Sequence, residues 1–265
     1  MYSSNEKNFY ENPSLWVAEG FGDVQQERAK TTVGWFPPDV KSVLEVGCGN
    51  GVISNLLSGY YAVGIDRARV SLQYVNISRC QADAANLPFS DSSFDIVLAA
   101  EVIEHIPHHV FPLVLSELQR VSRRHILISV PYKERMQNNR IDCPMCGCRF
   151  HASYHMRRFE LEDLTHLFGN SSAFTLKRVE GYASRRSLPS VGLKRVIRSL
   201  RGRKASEAEF RNLICPQCGY SRTMDSDYKN SRLWKQFYQA ASNVMTLIPE
   251  RMRLSWWLAL YSRVN

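Results

Sequence analysis

The chain has 265 residues, 44% of them hydrophobic, enough to bury a full core as one large domain with insertions or as two small ones. Its opening residues, MYSSNEKNFYENPSLW, show no basic-then-apolar leader, and no run approaches the ~18 apolar residues of a membrane span, which points to a soluble, cytoplasmic protein. The net charge of +9 is uneven: residues 183–265 hold 16 Lys or Arg against 5 Asp or Glu, whereas residues 1–182 hold 18 against 20.

Residues 1–40, with Tyr10, Trp16, Phe21 and Trp35, read as a helical cap. From residue 41 strands and helices alternate. SVLEVG (42–47) is a continuous apolar run ending in glycine, as expected of a parallel strand buried on both faces, and VISNLL (52–57) reads as the start of a helix. YAVGID (61–66), FDIVLAA (94–100) and HILISVPY (125–132) read as further strands, the last preceded by the helical pattern VFPLVLSELQRVS. LEDLTHLF (161–168) follows as a short helix, then FTLKRVEGY (174–182) and WWLALYSR (256–263) as strands. Such alternation predicts an α/β doubly wound, mostly parallel sheet. Residues 41–182 and 256–265 would form this core. Residues 183–255 would be an insertion, with an amphipathic helix at 231–247 (Leu233, Phe237 and Ala240 or Ala241 on one stripe) and the acid-free basic run ASRRSLPSVGLKRVIRSLRGRK. That run reads either as a solvated face or as a surface for phosphates, nucleic acid or anionic lipid heads.

Between the first strand and the next element stands Glu45-Val-Gly47-Cys48-Gly49-Asn-Gly51. Its spacing is G-x-G-x-G, distinct from the G-x-G-x-x-G of dinucleotide binders. With the acid two positions before the first glycine, the segment resembles the first motif of the class I S-adenosylmethionine-dependent methyltransferases. Asp66 at the end of the second strand, QADAANLPF with Asp83 and Ala84, and DSSFDIVLAAEVIEHI continue the resemblance in order over residues 41 to about 132. The resemblance implies a seven-stranded Rossmann-like fold with S-adenosylmethionine held by Glu45, Gly47, Cys48, Gly49, Gly51, Asp66, Asp83 and Ala84, and the cap lying over it. One departure is Ser122-Arg-Arg-His125, where the family often has a Lys-Pro-Gly-Gly turn.

EVIEH places Glu101, Glu104 and His105 at helical spacings of three and four, hence on one face, where the fourth strand ends. Together with a histidine beyond the fifth strand, it resembles the divalent-metal site of small-RNA 2′-O-methyltransferases and ubiquinone-pathway phenol O-methyltransferases. That resemblance implies Glu101, Glu104, His105 and His155 as ligands, with His151 as a substitute, and Mg2+, Mn2+, Fe2+ or Co2+ as the ion. Two other roles stay open on the residues alone: His105 or His155 acting directly as a base, or acids meeting a helix dipole.

Cys143-Pro-Met-Cys146-Gly and Cys215-Pro-Gln-Cys218-Gly repeat one C-P-x-C-G pattern. Two such hooks supply four thiolates for a structural, tetrahedral zinc, and they would pin residues 183–255 to residues 140–158 as a lid beside the acceptor. Cys148 is a substitute ligand, and Cys48 and Cys80 read as buried thiols. Three functions follow as expectations. The first is O-methylation of a small-molecule or glycan-type acceptor, phosphate-bearing if the basic run meets it, with peripheral membrane contact through LKRVIRSLRGRK as an extension. The second is 2′-O-methylation of RNA. The third, an inactive scaffold, would require a broken glycine loop, and the loop is intact.

Overall fold

The computed structural model describes residues 4–16, 23–169, 173–186, 213–221 and 251–264. Thirteen elements follow one another: α1 (Ser4–Tyr10), α2 (Asp23–Val33), β1 (Ser42–Val46), β2 (Tyr61–Asp66), β3 (Ser78–Gln81), β4 (Phe94–Ala100), α3 (Phe111–Val121), β5 (Ser122–Pro131), β6 (Arg140–Asp142), β7 (Arg149–His151), α4 (Leu161–Thr165), β8 (Phe174–Arg186) and β9 (Arg251–Arg263). Seven strands form one sheet in the order β3-β2-β1-β4-β5-β9-β8, and β6 pairs with β7 in a separate hairpin. β1 to β5 are parallel to one another, and β9 runs antiparallel between β5 and β8. This is the doubly wound, seven-stranded arrangement expected.

The alternation of side chains along each strand separates two cores. Leu44, Val97, Ile126 and Ile128 pack on one face with Val114 and Leu118 of α3. Val43, Ile96, Leu98 and Leu127 pack on the other with Ala29 of α2 and Leu57. Every residue of β4 from Phe94 to Ala99 is buried, which explains the apolar run IVLA, and the one acid among them, Asp95, accepts the Lys41 and Ser42 amides at 3.0 Å.

Several expectations change. The segment read as the start of a helix at 52–57 is a single 3-10 turn, Ser54–Leu56. Its polar side chains are engaged elsewhere: the Ser54 hydroxyl donates to Glu45, and the Asn55 amide bonds the Tyr74 carbonyl at 3.0 Å and the Asn76 amide at 2.7 Å. Such side-chain bonds compete with helix formation. Nor do Glu101, Glu104 and His105 share a helix face, because Glu101 sits at φ +57° just outside a three-residue turn, Ile103–His105. The unusual Ser122-Arg-Arg-His125 contains no turn: α3 passes directly into β5, with Ser122 paired to Phe94. Strand pairing continues to Arg186 and resumes at Arg251, inside the expected 183–255 insertion. The stripe at 231–247, the run from 187 to 204 and Phe21 lie outside the described residues. Among the described residues no helix is long and apolar enough to cross a membrane.

The two cores make a direct prediction. Leu98→Ala, at a fully buried position of the central strand, should destabilise the protein by about 2–5 kcal/mol. Leu113→Ala, on the open side of α3 at 56% exposure, should change stability by no more than about 0.5 kcal/mol. Urea unfolding midpoints of the two variants check the contrast.

Candidate active site

The carboxyl ends of β1, β2 and β4 open onto a cavity of about 230 Å³ lined by Gly47, Gly49, Asp66, Asp83, Ala84 and Glu101, among others. Ligands settle at this edge of open α/β sheets because the loops diverge there. Gly47, at φ +71°, faces Val102 so closely that any Cβ would overlap the valine Cγ2. The glycine is required both by the backbone conformation and by this contact. A Cβ on Gly49, at φ +52°, would lie 2.9 Å from the ring of Trp16. Asp66 is held by the Gly49 and Ala68 amides, each at 2.8 Å, and burial raises its pKa.

Three of the expected cofactor residues lie outside this lining. Glu45 is 3% exposed and sits beneath the loop, where Ser54 donates to it, while the Cys48 thiol packs with Leu72 and Val75. Gly51 also lies outside the lining. These three shape the loop from below.

The described part of the cap lines one side of the cavity. Trp16 and Tyr10 line it, Trp16 Nε1 donates to the Tyr10 carbonyl at 2.7 Å, and the Glu11 carboxylate accepts the Arg69 and Val70 amides. The Tyr10 hydroxyl meets His105 Nδ1 at 3.2 Å.

Around His105 the structure gathers Glu104 and His155, with one ligand atom from each within 4.8 Å of the others. Glu104 is fully buried, and neither carboxylate oxygen has a hydrogen-bond partner. Burial, then the nearby Glu101, holds its pKa well above the usual carboxylate range. Burial draws His105 down to about 3, with the His155 and His151 rings adding to it. A second group, Glu134, His151 and His155, is equally close and shares His155. Glu134 was not anticipated. An acid three residues past the end of β5 lies where ligand sites form, and only this position could have pointed to it.

Glu101 does not join these groups. Its carboxylate accepts from Ser129 Oγ at 3.1 Å and Trp256 Nε1 at 3.0 Å and pairs with Arg28 at 3.3 Å. With both oxygens engaged and a guanidinium beside them, it is poorly placed to bind an ion and instead helps shape the cavity wall.

Cys143, Cys146, Cys215 and Cys218 come together with all four sulfurs within 4.8 Å, while Cys148 stays outside the group and offers its carbonyl to the Cys143 amide at 2.8 Å. Both hooks fold alike: Gly147 and Gly219, near φ +70°, return their amides to the carbonyls of Cys143 and Cys215 at 2.9 Å. Four sulfurs at this spacing suit a tetrahedral thiophilic ion with no open position. Tyr154 joins this group to the histidines, since its hydroxyl bonds both the carbonyl and the amide of Ile214.

Residues 44–127 match the family described as a methyltransferase domain. These residues form a methyltransferase domain, and the sheet around them has the class I methyltransferase fold. Over 94 residues, 31% of the chain and 34% of the relative, it is 36% identical to phthiotriol/phenolphthiotriol dimycocerosates methyltransferase 1 of Mycobacterium ulcerans. Over 113 residues, 37% of the chain and 40% of the relative, it is 32% identical to the O-methyltransferase cnsE of Penicillium expansum. The chain thus spans only about a third to two fifths of these two relatives. A solved S-adenosylmethionine-dependent methyltransferase from Archaeoglobus fulgidus superposes with a TM-score of 0.51, covering 97% of each chain at 13% identity, a likeness of fold.

The Glu45 carboxyl beneath the methyltransferase loop is pushed up to about 8 by burial, ahead of the opposing bond from Ser54. The folded domain therefore keeps a proton that the unfolded chain releases above its ordinary value of 4.5. The resulting stabilisation is complete below 4.5 and disappears as pH rises through about 8. Thermal unfolding of the cofactor-free protein across this range should show a fall with pH that is shallower in Glu45→Gln, whose amide does not titrate, by up to about 1.4 kcal/mol per pH unit.

Proposed function

We propose that the protein moves the methyl group of S-adenosylmethionine to a hydroxyl oxygen of a small-molecule or glycan-type acceptor, with a divalent cation held by Glu104, His105 and His155. The observation that carries this reading is the Glu104 carboxylate, fully buried, without a hydrogen-bond partner, and facing two imidazoles, of which His105 lines the cavity and lies 4.0 Å away. An isolated carboxylate in such a place is strongly disfavoured unless a cation or a proton compensates it. Mixed oxygen and nitrogen donors suit Mg2+ or Mn2+ among hard and borderline ions. The O-methyltransferase among the relatives supports oxygen as the acceptor atom.

The cofactor cavity fits its part. Positive-φ glycines let a ligand approach the backbone, Asp66 and Asp83 offer carboxylates to hydroxyl and amino groups, and Ile65 and Val102 supply apolar walls. S-adenosylmethionine, when bound, supplies the electrophilic methyl group, and a divalent cation, when bound, lowers the pKa of a neighbouring hydroxyl. The chain's own task is alignment. Tyr10 and Trp16 cover part of the cavity, and the turn Ile103–His105 places His105 in its wall with Glu104 buried behind it, where donor and acceptor must meet in line. Cys143, Cys146, Cys215 and Cys218 are assigned to a structural zinc. The RNA reading rests mainly on the basic run, most of which lies outside the described residues.

Two experiments test this. Calorimetry with Mn2+ and S-adenosylhomocysteine should show one Mn2+ site in the wild-type protein that Glu104→Ala removes, with S-adenosylhomocysteine affinity changed no more than about threefold, or under about 0.7 kcal/mol. Absence of Mn2+ binding in the wild type would return the chemistry to His105 or His155 as a direct base. In the second, Cys215→Ser should reduce zinc from one ion per chain to none by elemental analysis. Through the Tyr154–Ile214 link it should also weaken Mn2+ binding at least about tenfold, while S-adenosylhomocysteine binding at the remote glycine loop persists.

A further inference from the structure

The hydrogen-bond pattern behind His155 goes beyond this reading and deepens it, since it rests on the cation site at Glu104, His105 and His155. A neutral imidazole carries one proton, and only its bare nitrogen can hold a cation or take a proton from an acceptor. Which nitrogen is bare is set by what the other one meets.

At His151 the assignment follows from the backbone. Its Nδ1 accepts the amides of Ser153 and His155, each at 3.3 Å, so the proton of a neutral ring belongs on Nε2. That Nε2 is closed off from solvent and faces Glu134 Oε1 at 3.4 Å. The other oxygen of the same carboxylate, Oε2, takes a short hydrogen bond from His155 Nδ1. The His151 and His155 rings stack with centroids 4.7 Å apart and planes within 18°, which holds both against rotation. His155 meets the His105 ring edge-on, with centroids also 4.7 Å apart.

We propose that Glu134 is a positioning residue: bridging His151 and His155 with its two oxygens, it keeps the His155 proton on Nδ1 and leaves Nε2 bare for the cation shared with Glu104 and His105. The order runs from backbone amides to His151, to Glu134, to His155 and then to the reaction centre. A carboxylate behind a ligating histidine fixes the tautomer and raises ligand basicity, and its loss usually weakens metal binding about 10–100-fold. The local backbone is built for this. Lys133, next to Glu134, and Tyr154, next to His155, both adopt positive φ (+43° and +57°), a conformation that non-glycine residues adopt at an energetic penalty. Unlike the Glu104 carboxylate, which has no hydrogen-bond partner, the Glu134 carboxylate is hydrogen-bonded to His155 and needs no ion of its own.

The test uses the full chain labelled with 15N-histidine, with His155 assigned by comparison with His155→Gln. Long-range 15N–1H correlation spectra of the wild-type protein should show His155 as the Nδ1–H tautomer. Glu134→Ala should convert a substantial share to Nε2–H and weaken Mn2+ binding about 10–100-fold, with S-adenosylhomocysteine binding unchanged as the check on folding. Glu134→Gln, whose carbonyl can accept the same proton, should recover part of both. The proposal is overturned if Glu134→Ala leaves the tautomer as it was and Mn2+ affinity within twofold. A second Mn2+ in the wild-type protein that disappears in Glu134→Ala would also overturn it, making Glu134 a ligand in its own right. If the wild-type protein takes up no Mn2+ at all, the cation reading fails, and the tautomer spectrum alone decides the role of Glu134.

Discussion

A carboxylate without a partner in a sealed interior is the constraint around which the site is organised. Glu104 lies between two core residues, Ile103 and Ile106, and the segment after β7 closes over it: the Met156 amide bonds the Glu104 carbonyl at 2.7 Å, and Arg157 reaches the Ile106 carbonyl while its guanidinium lies 3.6 Å over the Phe111 ring. Water is thereby excluded from the side chain that most needs it. Such burial is tolerated when a proton or a cation compensates the charge, and the imidazoles that would share a cation are oriented by their own partners, Tyr10 for His105 and Glu134 for His155.

The cofactor loop and this turn are interlocked. Gly47 can have no side chain because Val102 fills that space, and Val102 is there because Glu101 swings the chain through a left-handed residue at the end of β4. Ser129, Trp256 and Arg28 in turn hold Glu101, so the wall of the cavity depends on β5, β9 and α2 together. Three of the four positive-φ non-glycine residues among those described, Glu101, Lys133 and Tyr154, adjoin the cluster of acids and histidines. Strain of this kind concentrates where geometry must be specified more narrowly than packing alone would do.

Much of this was legible in the sequence because it depends on local pattern. Apolar runs such as FDIVLAA are long enough to name buried strands, the glycine loop is written in consecutive residues, and two C-P-x-C-G hooks announce a four-sulfur group across some seventy residues. What escaped depends on long-range pairing. Glu101 and Glu104 have the same side chain three positions apart, yet one meets an indole and a guanidinium from distant elements and the other meets histidines. Helical spacing could not separate them, because the chain there is a turn and a strained residue. Glu134 is a single acid among charged neighbours in YKER, and its significance appears only when the β6–β7 hairpin brings His151 and His155 back to it. The helix expected at 52–57 failed for a local reason, the competing side-chain bonds of Ser54 and Asn55.

The placement of β9 carries a consequence for how the molecule comes into being. This strand, at positions 251–263, is threaded between β5, which ends at 131, and β8, so the sheet cannot be finished from the order in which its parts are made. During synthesis β1 to β5 can assemble first, with the glycine loop already between them, while the open side of β5 waits for a partner more than a hundred residues away. Trp256 arrives with that late strand and completes the hold on Glu101. A growing chain would thus possess the glycine-loop side of the cavity long before the wall at Glu101 is fixed, and the exposed β5 edge makes that interval the one most open to mispairing.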